Sequence, residues 1–278
     1  MKFSILIANY NNGRYFANCY NSILAQTHEN WEVIIIDDGS TDDSVSIIEN
    51  LIRDDDRFLF MLNDSNKGCG YTKRRTLELA SGEICGFLDP DDAITANALE
   101  LSIAQYKNNK IIATYSKITF CDENLEPVQD FKKIKKIYNS TYFFNCPTQL
   151  NAFFTFLKEA YSKTEGINPN LQSAVDQDLY LKILEHGNVV YIKENLYLYR
   201  RHNAGISQDL SKNKAKENFA KVIFETFKRR NIKKINGVKI PENYPGSKEV
   251  FSLLNYQNSI IYRLKLKVMI LLQHLQKL

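Results

Sequence analysis

Three carboxylates fall within four residues at Asp89-Pro90-Asp91-Asp92. Set side by side they repel one another, so the cluster is costly unless a cation or hydrogen-bond donors compensate. Hard oxygen ligands of this kind suit Mg²⁺ or Mn²⁺, typically shared with substrate phosphates. The bland alternative is an acidic helix start. A second pair, Asp37-Asp38, runs into Gly39-Ser40-Thr41-Asp42. Two adjacent carboxylates exceed what a turn and a helix cap need, and one can accept a hydrogen bond from a nucleobase N–H. Asn66-Lys67-Gly68-Cys69-Gly70, followed by Lys73-Arg74-Arg75, supplies cationic side chains and permissive backbone suited to a diphosphate. The chain has no GxxxxGK[ST] loop, which argues against a P-loop nucleotidase.

These groups need a scaffold, and the first 120 residues alternate strand and helix signals. Short apolar runs at Phe3–Ile7, Glu32–Ile36, Phe58–Leu62, Ile84–Leu88 and Ile111–Phe120 read as strands. Helical spacing appears at Tyr15–Gln26, after Thr41, at Thr72–Ala80 and at Thr95–Tyr106. Strands separated by helices indicate parallel βαβ units with right-handed crossovers. In such sheets ligands sit beyond the carboxyl ends of the strands. The polar clusters at Asn9–Asn12, Asp37-Asp38, Asn63–Lys67 and Asp89–Asp92 all fall at those ends. Residues 121–150 read as irregular. Helices are expected at Leu150–Tyr161 and Asp176–His186, and strands at Val189–Ile192 and Leu196–Tyr199.

Composition sets limits on the rest. The 278 residues are 44% hydrophobic and 24% charged, a folded globular balance with room for a large α/β domain and an appendage. The five cysteines are odd in number and lack CxxC spacing, which fits a reducing, cytoplasmic setting rather than a disulfide framework or zinc site. The N-terminal apolar run is too short for a signal core, and no stretch is long enough to span a bilayer. Residues 211–278 carry 15 Lys/Arg against 4 Asp/Glu, while residues 1–210 carry 21 against 28. The tail is basic, largely helical and interrupted by Pro241 and Pro245. In it Ile261, Leu264, Val268, Leu271, Leu272 and Leu275 recur at helical spacing, flanked by Arg263, Lys265, Lys267 and Lys277. Such a helix either packs on the protein's own core or lies on a membrane surface or a partner.

The order of these motifs resembles family-2 glycosyltransferases. It includes Ala8-Asn9-Tyr10-Asn11, Ser22–Thr27, Trp31–Asp42, Asn66-Lys67-Gly68, Ala80-Ser81-Gly82-Glu83 and Phe87–Asp92. The likeness is dense over about residues 3–100 and thinner to about 207, where Ala174–Leu181 and Tyr199-Arg200-Arg201-His202 take part. It implies a GT-A fold, an α/β Rossmann-like sheet, mostly parallel and flanked by helices, with a helical C-terminal extension. It places the glycosyltransferase domain at 1–210, with a nucleotide-sugar half at 1–120 and an acceptor-side half at 121–210, and the basic extension at 211–278.

The resemblance further implies a nucleotide-diphosphate sugar donor, often a UDP-sugar, and a glycan or lipid-linked acceptor. Ala8, Tyr10 and Asp38 would face the base and ribose. Lys67, Gly68 and Lys73 would lie by the diphosphate. Asp89 and Asp91 would form the DxD element that holds Mg²⁺ or Mn²⁺, and Asp92 would support the sugar or the loop. Ala8 stands where the family usually has Pro or Thr, Lys73 where Arg is common, and Val175 where an acid is usual. His202 is either a hydrogen-bonding imidazole or a contact to the metal or diphosphate.

A single in-line displacement would invert the anomeric centre, with a carboxylate taking the acceptor proton. Asp176 and Asp178 are the candidates. Residues two apart on a helix point roughly 200° from each other, so both cannot serve one site. Asp176 precedes Leu179 and Tyr180 on the face turned to the sheet and is the expected base, with Asp178 the runner-up, expected to bond locally. Two other readings share the fold: a sugar-phosphate nucleotidyltransferase, which should carry a GxGxRL loop where Asn9–Arg14 stands, and an inactive nucleotide-sugar-binding protein, which should have lost an acidic motif. The sequence leaves open the donor sugar, the acceptor and the oligomeric state, and it gives no sign of nucleic-acid binding.

Overall fold

A computed structural model describes residues 1–202 and 212–275. Apolar runs without polar alternation form strands buried on both faces. β1 (Phe3–Asn9) and β2 (Trp31–Asp37) are of this type. Ile5, Ile7, Val33 and Ile35 are fully enclosed, each burial contributing roughly 1.5–3 kcal/mol. In chain order the first half also contains α1 (Gly13–Leu24), α2 (Ser44–Ile52), β3 (Phe58–Leu62), α3 (Cys69–Leu79), β4 (Ile84–Phe87), β5 (Ala93–Ile94), α4 (Ala98–Gln105) and β6 (Ile111–Cys121). After it come β7 (Pro127–Asp130), β8 (Thr155–Leu157), α5 (Lys158–Ser162), α6 (Val175–Ile183), β9 (Asn188–Arg200) and α7 (Lys212–Arg229). The chain continues through the hairpin β10 (Lys234–Ile235) and β11 (Val238–Lys239), then α8 (Ser247–Leu254) and α9 (Ile260–Leu275).

The main sheet runs β3-β2-β1-β4-β8-β6-β9-β5, with β7 on β6. β1 pairs in parallel with both β2 and β4, so the ends of β1, β2 and β4 open on one rim. β8 is antiparallel to β4 and to β6. A helix was expected over Leu150–Tyr161. Instead β8 fills the gap between β4 and β6, and only the five-residue α5 follows. Phe153 and Phe154, just ahead of β8, and Phe156 within it are all buried, and such crowded aromatics do not fit one helical stripe. The two short strands expected at 189–192 and 196–199 are one strand, β9, which follows β6 through register shifts around Tyr115–Ile118.

Glu32 ties the left side of the sheet together. Its carboxylate accepts from Ser4 Oγ (2.6 Å), Ser81 N (2.6 Å) and Ser81 Oγ (2.7 Å), and pairs with Lys2 Nζ at 2.6 Å. Burial alone would raise the Glu32 carboxyl, but donors from Lys2, Ser4 and Ser81 outweigh it and hold the pKa at about 2. A depressed carboxylate stabilises the fold above its unfolded value and loses that contribution as the pH falls toward the folded one. Glu32→Gln should therefore lower unfolding free energy near neutral pH by about 1–3 kcal/mol. Urea unfolding of both proteins should show the difference in full above pH 4.5 and shrinking toward pH 2. A difference that persists undiminished in acid would rule out the charge as its source.

The tail carries a second apolar cluster, built by Ile223, Phe224, Phe227, Ile235, Val250 and Leu254. Phe144, from the segment between β7 and β8, completes it. Arg229 and Arg230 both pair with Glu185 just past α6, at 2.7 Å and 2.8 Å, anchoring α7 to the sheet domain.

Candidate active site

The ends of β1 and β2 are held by their own polar side chains. Buried Asn9 donates to Asp37 Oδ2 at 2.6 Å, and Asp37 accepts from Ser40 N and Ser40 Oγ, both at 2.7 Å. Asp38 Oδ1 accepts from Asn63 Nδ2 (2.7 Å) and Lys67 N (2.8 Å), and its Oδ2 from Gly68 N (2.8 Å). The Asp pair that exceeded a cap's needs thus braces two loops. A carboxylate has about four acceptor positions, so Asp38 Oδ2 retains room for one more donor. Gly68 has φ +94°, a conformation that favours glycine, and a Cβ there would lie 2.4 Å from Gln172 Nε2, so a larger residue would strain the turn and push the end of the Gln172 side chain aside. Lys67 leans on Asp64 at 2.9 Å at the surface. Tyr10 is exposed and Ala8 half-buried on the same rim.

The loop after β4 is clasped by the end of β9. β5 and β9 pair antiparallel, Ala93 against Leu198. Asp92, expected at the donor or its loop, is turned inward: it is 2% exposed, and its Oδ1 accepts from Arg200 N at 2.8 Å. Burial, with Asp91 and Asp89 beside it, pushes its carboxyl well above the usual carboxylate range. In this position its side chain ties the loop to the end of β9. The Arg200 guanidinium donates to the Asp91 carbonyl (2.6 Å) and to Asn18 Oδ1 (3.0 Å). His202, buried and tilted against Tyr15 with ring centroids 4.6 Å apart, meets Asp91 Oδ2 through Nε2 at 2.8 Å.

Lys73 sits at the centre. Its Nζ lies 2.8 Å from Asp176 Oδ1 and 3.2 Å from Asp89 Oδ1, with the Phe87 ring 5.0 Å away. Desolvation would lower its pKa, but the Asp176 and Asp89 carboxylates reverse this and raise it well above the usual amine value. Asp89 opens onto the cleft, whose walls displace bulk water. That desolvation raises its carboxyl above the usual range, against the pull of Lys73. Asp178 faces the other way: it is buried, with Oδ2 accepting from Lys182 Nζ and Asn168 N, both at 2.9 Å.

Lys73, Asp89 and Asp176 line a cleft of about 600 Å³. Its other walls are aromatic, chiefly Phe120, Phe154, Tyr180, Tyr197 and Tyr199, with Arg201 beside them, its guanidinium 3.8 Å over the Phe120 ring. Sequence reasoning missed these walls. The alternation Tyr197, Tyr199, Arg201 at the end of β9 was the one available signal, because residues two apart share a strand face.

The donor set for a divalent cation splits in two. Asp91 Oδ2 and His202 Nε2 are 2.8 Å apart. Adjacent ligands on an octahedral ion with bonds of about 2.1 Å are separated by about 3.0 Å, so this pair fits one ion. Asp89, expected to join them, is instead turned to Lys73, and among the described residues no three His, Cys, Asp or Glu side chains converge on one point. That suits an ion completed by substrate phosphates and water, not an all-protein cage.

Residues 4–164 match the family model described as glycosyl transferase family 2. Chondroitin synthase of Escherichia coli is 32% identical over 236 residues, which is 83% of this chain but 33% of that protein, so the chain spans about a third of it. The glycosyltransferase GlyG of Streptococcus pneumoniae is 26% identical over 95% of both chains. In three dimensions the chain resembles residues 1–349 of S. aureus TarS in complex with UDP-GlcNAc, with a TM-score of 0.69 and 21% identity over 94% of this chain and 73% of that one.

Proposed function

The chain belongs to glycosyl transferase family 2 and has the GT-A fold, and on that premise we propose that it moves a sugar from a UDP-sugar to a hydroxyl of a glycan or lipid-linked acceptor, with inversion and with metal assistance. The observation that carries this reading is the Asp176–Lys73–Asp89 triad on the wall of the aromatic cleft. Asp38, Tyr10 and Ala8 lie on the rim where base and ribose would bind, and Gly68 lets the backbone approach them. Asp176 accepts the acceptor's hydroxyl proton as that oxygen attacks the anomeric carbon. Lys73 holds Asp176 and Asp89 in one geometry and brings a positive charge next to the departing diphosphate. The aromatic walls exclude water that would compete with the acceptor. Asp91 and His202 would hold Mg²⁺ or Mn²⁺, which supplies charge neutralisation on the leaving nucleoside diphosphate. Arg200 and Asp92 keep Asp91 in place. A UDP-sugar complex in a relative of the same fold supports the choice of donor.

The test is product identity. With Mn²⁺, the protein should release UDP from one of a panel of UDP-, GDP- and dTDP-sugars when given an acceptor. Pyrophosphate release from a sugar-1-phosphate and UTP would overturn the assignment.

We also place the protein at the inner face of a membrane, as a peripheral enzyme. No helix of the described residues is long and apolar enough to cross one. Of the tail stripe, Ile261, Leu264, Val268, Leu271 and Leu272 are 47–82% exposed, so this face is not packed on the protein's own core. The Leu275 side chain and Lys277 lie outside the described residues. Because Val250 and Leu254 belong to the second core, truncation would confound the test. Ile261→Glu with Leu264→Glu should instead abolish flotation with anionic liposomes without lowering the melting temperature.

A further inference from the structure

Beside the catalytic cleft lies a second one, of about 690 Å³, and Phe131 and Asn151 line both. Lys133, Lys135 and Lys136 line one side and Arg263 and Lys267 the other, and no Asp or Glu is among the described residues that line it. The lysine segment is fixed, not loose. Ile134 and Ile137 are buried at 3% and 5% exposure, which leaves the lysines outward. Tyr115 Oη donates to the Lys135 carbonyl at 2.7 Å and accepts from Ile137 N at 2.9 Å. Arg263 and Lys267 are four apart on α9 and share one helix face. That face is distinct from the exposed stripe of Ile261, Leu264 and Val268.

Five cations facing one another across a cleft repel, and among the described residues none of them has a carboxylate within ion-pair reach. A field of one sign inside a cleft concentrates ligands of the opposite sign. The aromatic rings of Tyr138 and Tyr262 among these cations offer surfaces for the C–H faces of sugar rings. Diphosphate charge is already met elsewhere, at Lys73 and the strand ends. We propose that this second cleft is the acceptor channel for a polyanionic glycan strand. The strand's carboxylates lie along the five cations while its terminal hydroxyl enters the Asp176 cleft past Phe131 and Asn151. The proposal rests on the glycosyltransferase reading above and adds the charge class of the acceptor.

Oligogalacturonate and cello-oligosaccharide of six sugars each, one acidic and one neutral, test it by calorimetry on the full chain, with UDP titrated in parallel. The acidic hexamer should bind on the order of 30-fold more tightly at low salt, as four or five partly exposed ion pairs would give. The gap should close at about 0.5 M salt, where the Debye length is only a few ångströms. Lys133→Gln/Lys136→Gln and Arg263→Gln/Lys267→Gln, as two separate double variants, should each remove much of the gap and leave UDP affinity and melting temperature unchanged. Equal affinity for the two hexamers, or wild-type affinity for the acidic one in both variants, overturns the proposal. Loss of liposome flotation in the variants with unchanged oligosaccharide binding also overturns it and assigns these cations to a membrane. Absent UDP binding with intact acidic selectivity would instead count against the glycosyltransferase reading and leave the channel standing.

Discussion

Asp176→Asn is expected to lower sugar transfer by about 10²–10⁴-fold while leaving UDP affinity and melting temperature near their wild-type values. The Asp176 side chain reaches the cleft from the first turn of α6, 42% exposed, tethered among the described residues by Lys73. Asparagine keeps the shape and still lets an amide oxygen face the Lys73 ammonium, but it cannot take a proton. Asp178→Asn should behave in the opposite way. Asp178 is paired with Lys182, and their side chains are 8% and 6% exposed. Removing one member of such a buried pair typically costs about 3–5 kcal/mol. The expected phenotype is a lower melting temperature, with transfer per folded molecule largely kept. Radiolabelled transfer under single-turnover conditions, read beside thermal unfolding, separates the two. Loss of transfer in a fully folded Asp178→Asn, with an active Asp176→Asn, would reverse the roles.

UDP affinity should be about 10–100-fold higher with Mn²⁺ than without it in the wild type, and insensitive to Mn²⁺ in Asp91→Ala. Asp91 is the carboxylate next to His202, and Arg200 grips its backbone carbonyl, so its position does not depend on the ion. His202→Ala should reduce the Mn²⁺ response less severely, since the hard carboxylate oxygen is the stronger attachment for Mg²⁺ or Mn²⁺. Asp89→Ala should weaken UDP binding by a separate route, by freeing Lys73 from one of its two anchors. Calorimetric titration of UDP against these proteins, with and without Mn²⁺, is sufficient. Identical affinity for wild type and Asp91→Ala in both conditions would end the metal-bridge reading.

The sequence by itself determined the first half of the sheet. The runs at β1 to β4 are apolar and short, and each ends in a polar cluster. A parallel sheet with crossover helices leaves such clusters only one rim. The acidic loops and the Gly68 turn were therefore readable as one neighbourhood from chain order alone, while the Asp176 helix joined them through the family resemblance and its own helical spacing. The opposite orientations of Asp176 and Asp178 follow from helical pitch, a local property.

The tertiary structure decided what local pattern cannot carry. Whether Thr155–Leu157 forms helix or strand depended on the gap between β4 and β6, which exists only once the sheet is assembled. Asp89, Asp91 and Asp92 are neighbours in sequence, yet they take three different partners, Lys73, His202 and the Arg200 backbone, from elements up to 111 residues away. Burial sends Asp92 under the loop, the charge of Lys73 draws Asp89 across the cleft, and only Asp91 is left beside an imidazole. In the tail the sequence showed an amphipathic, basic helix. Only the packing of α9 near the 131–151 segment showed which side closes a cationic cleft and which side stays bare. Contacts made across long sequence separations have no period to read, because the two sides meet only after both have folded.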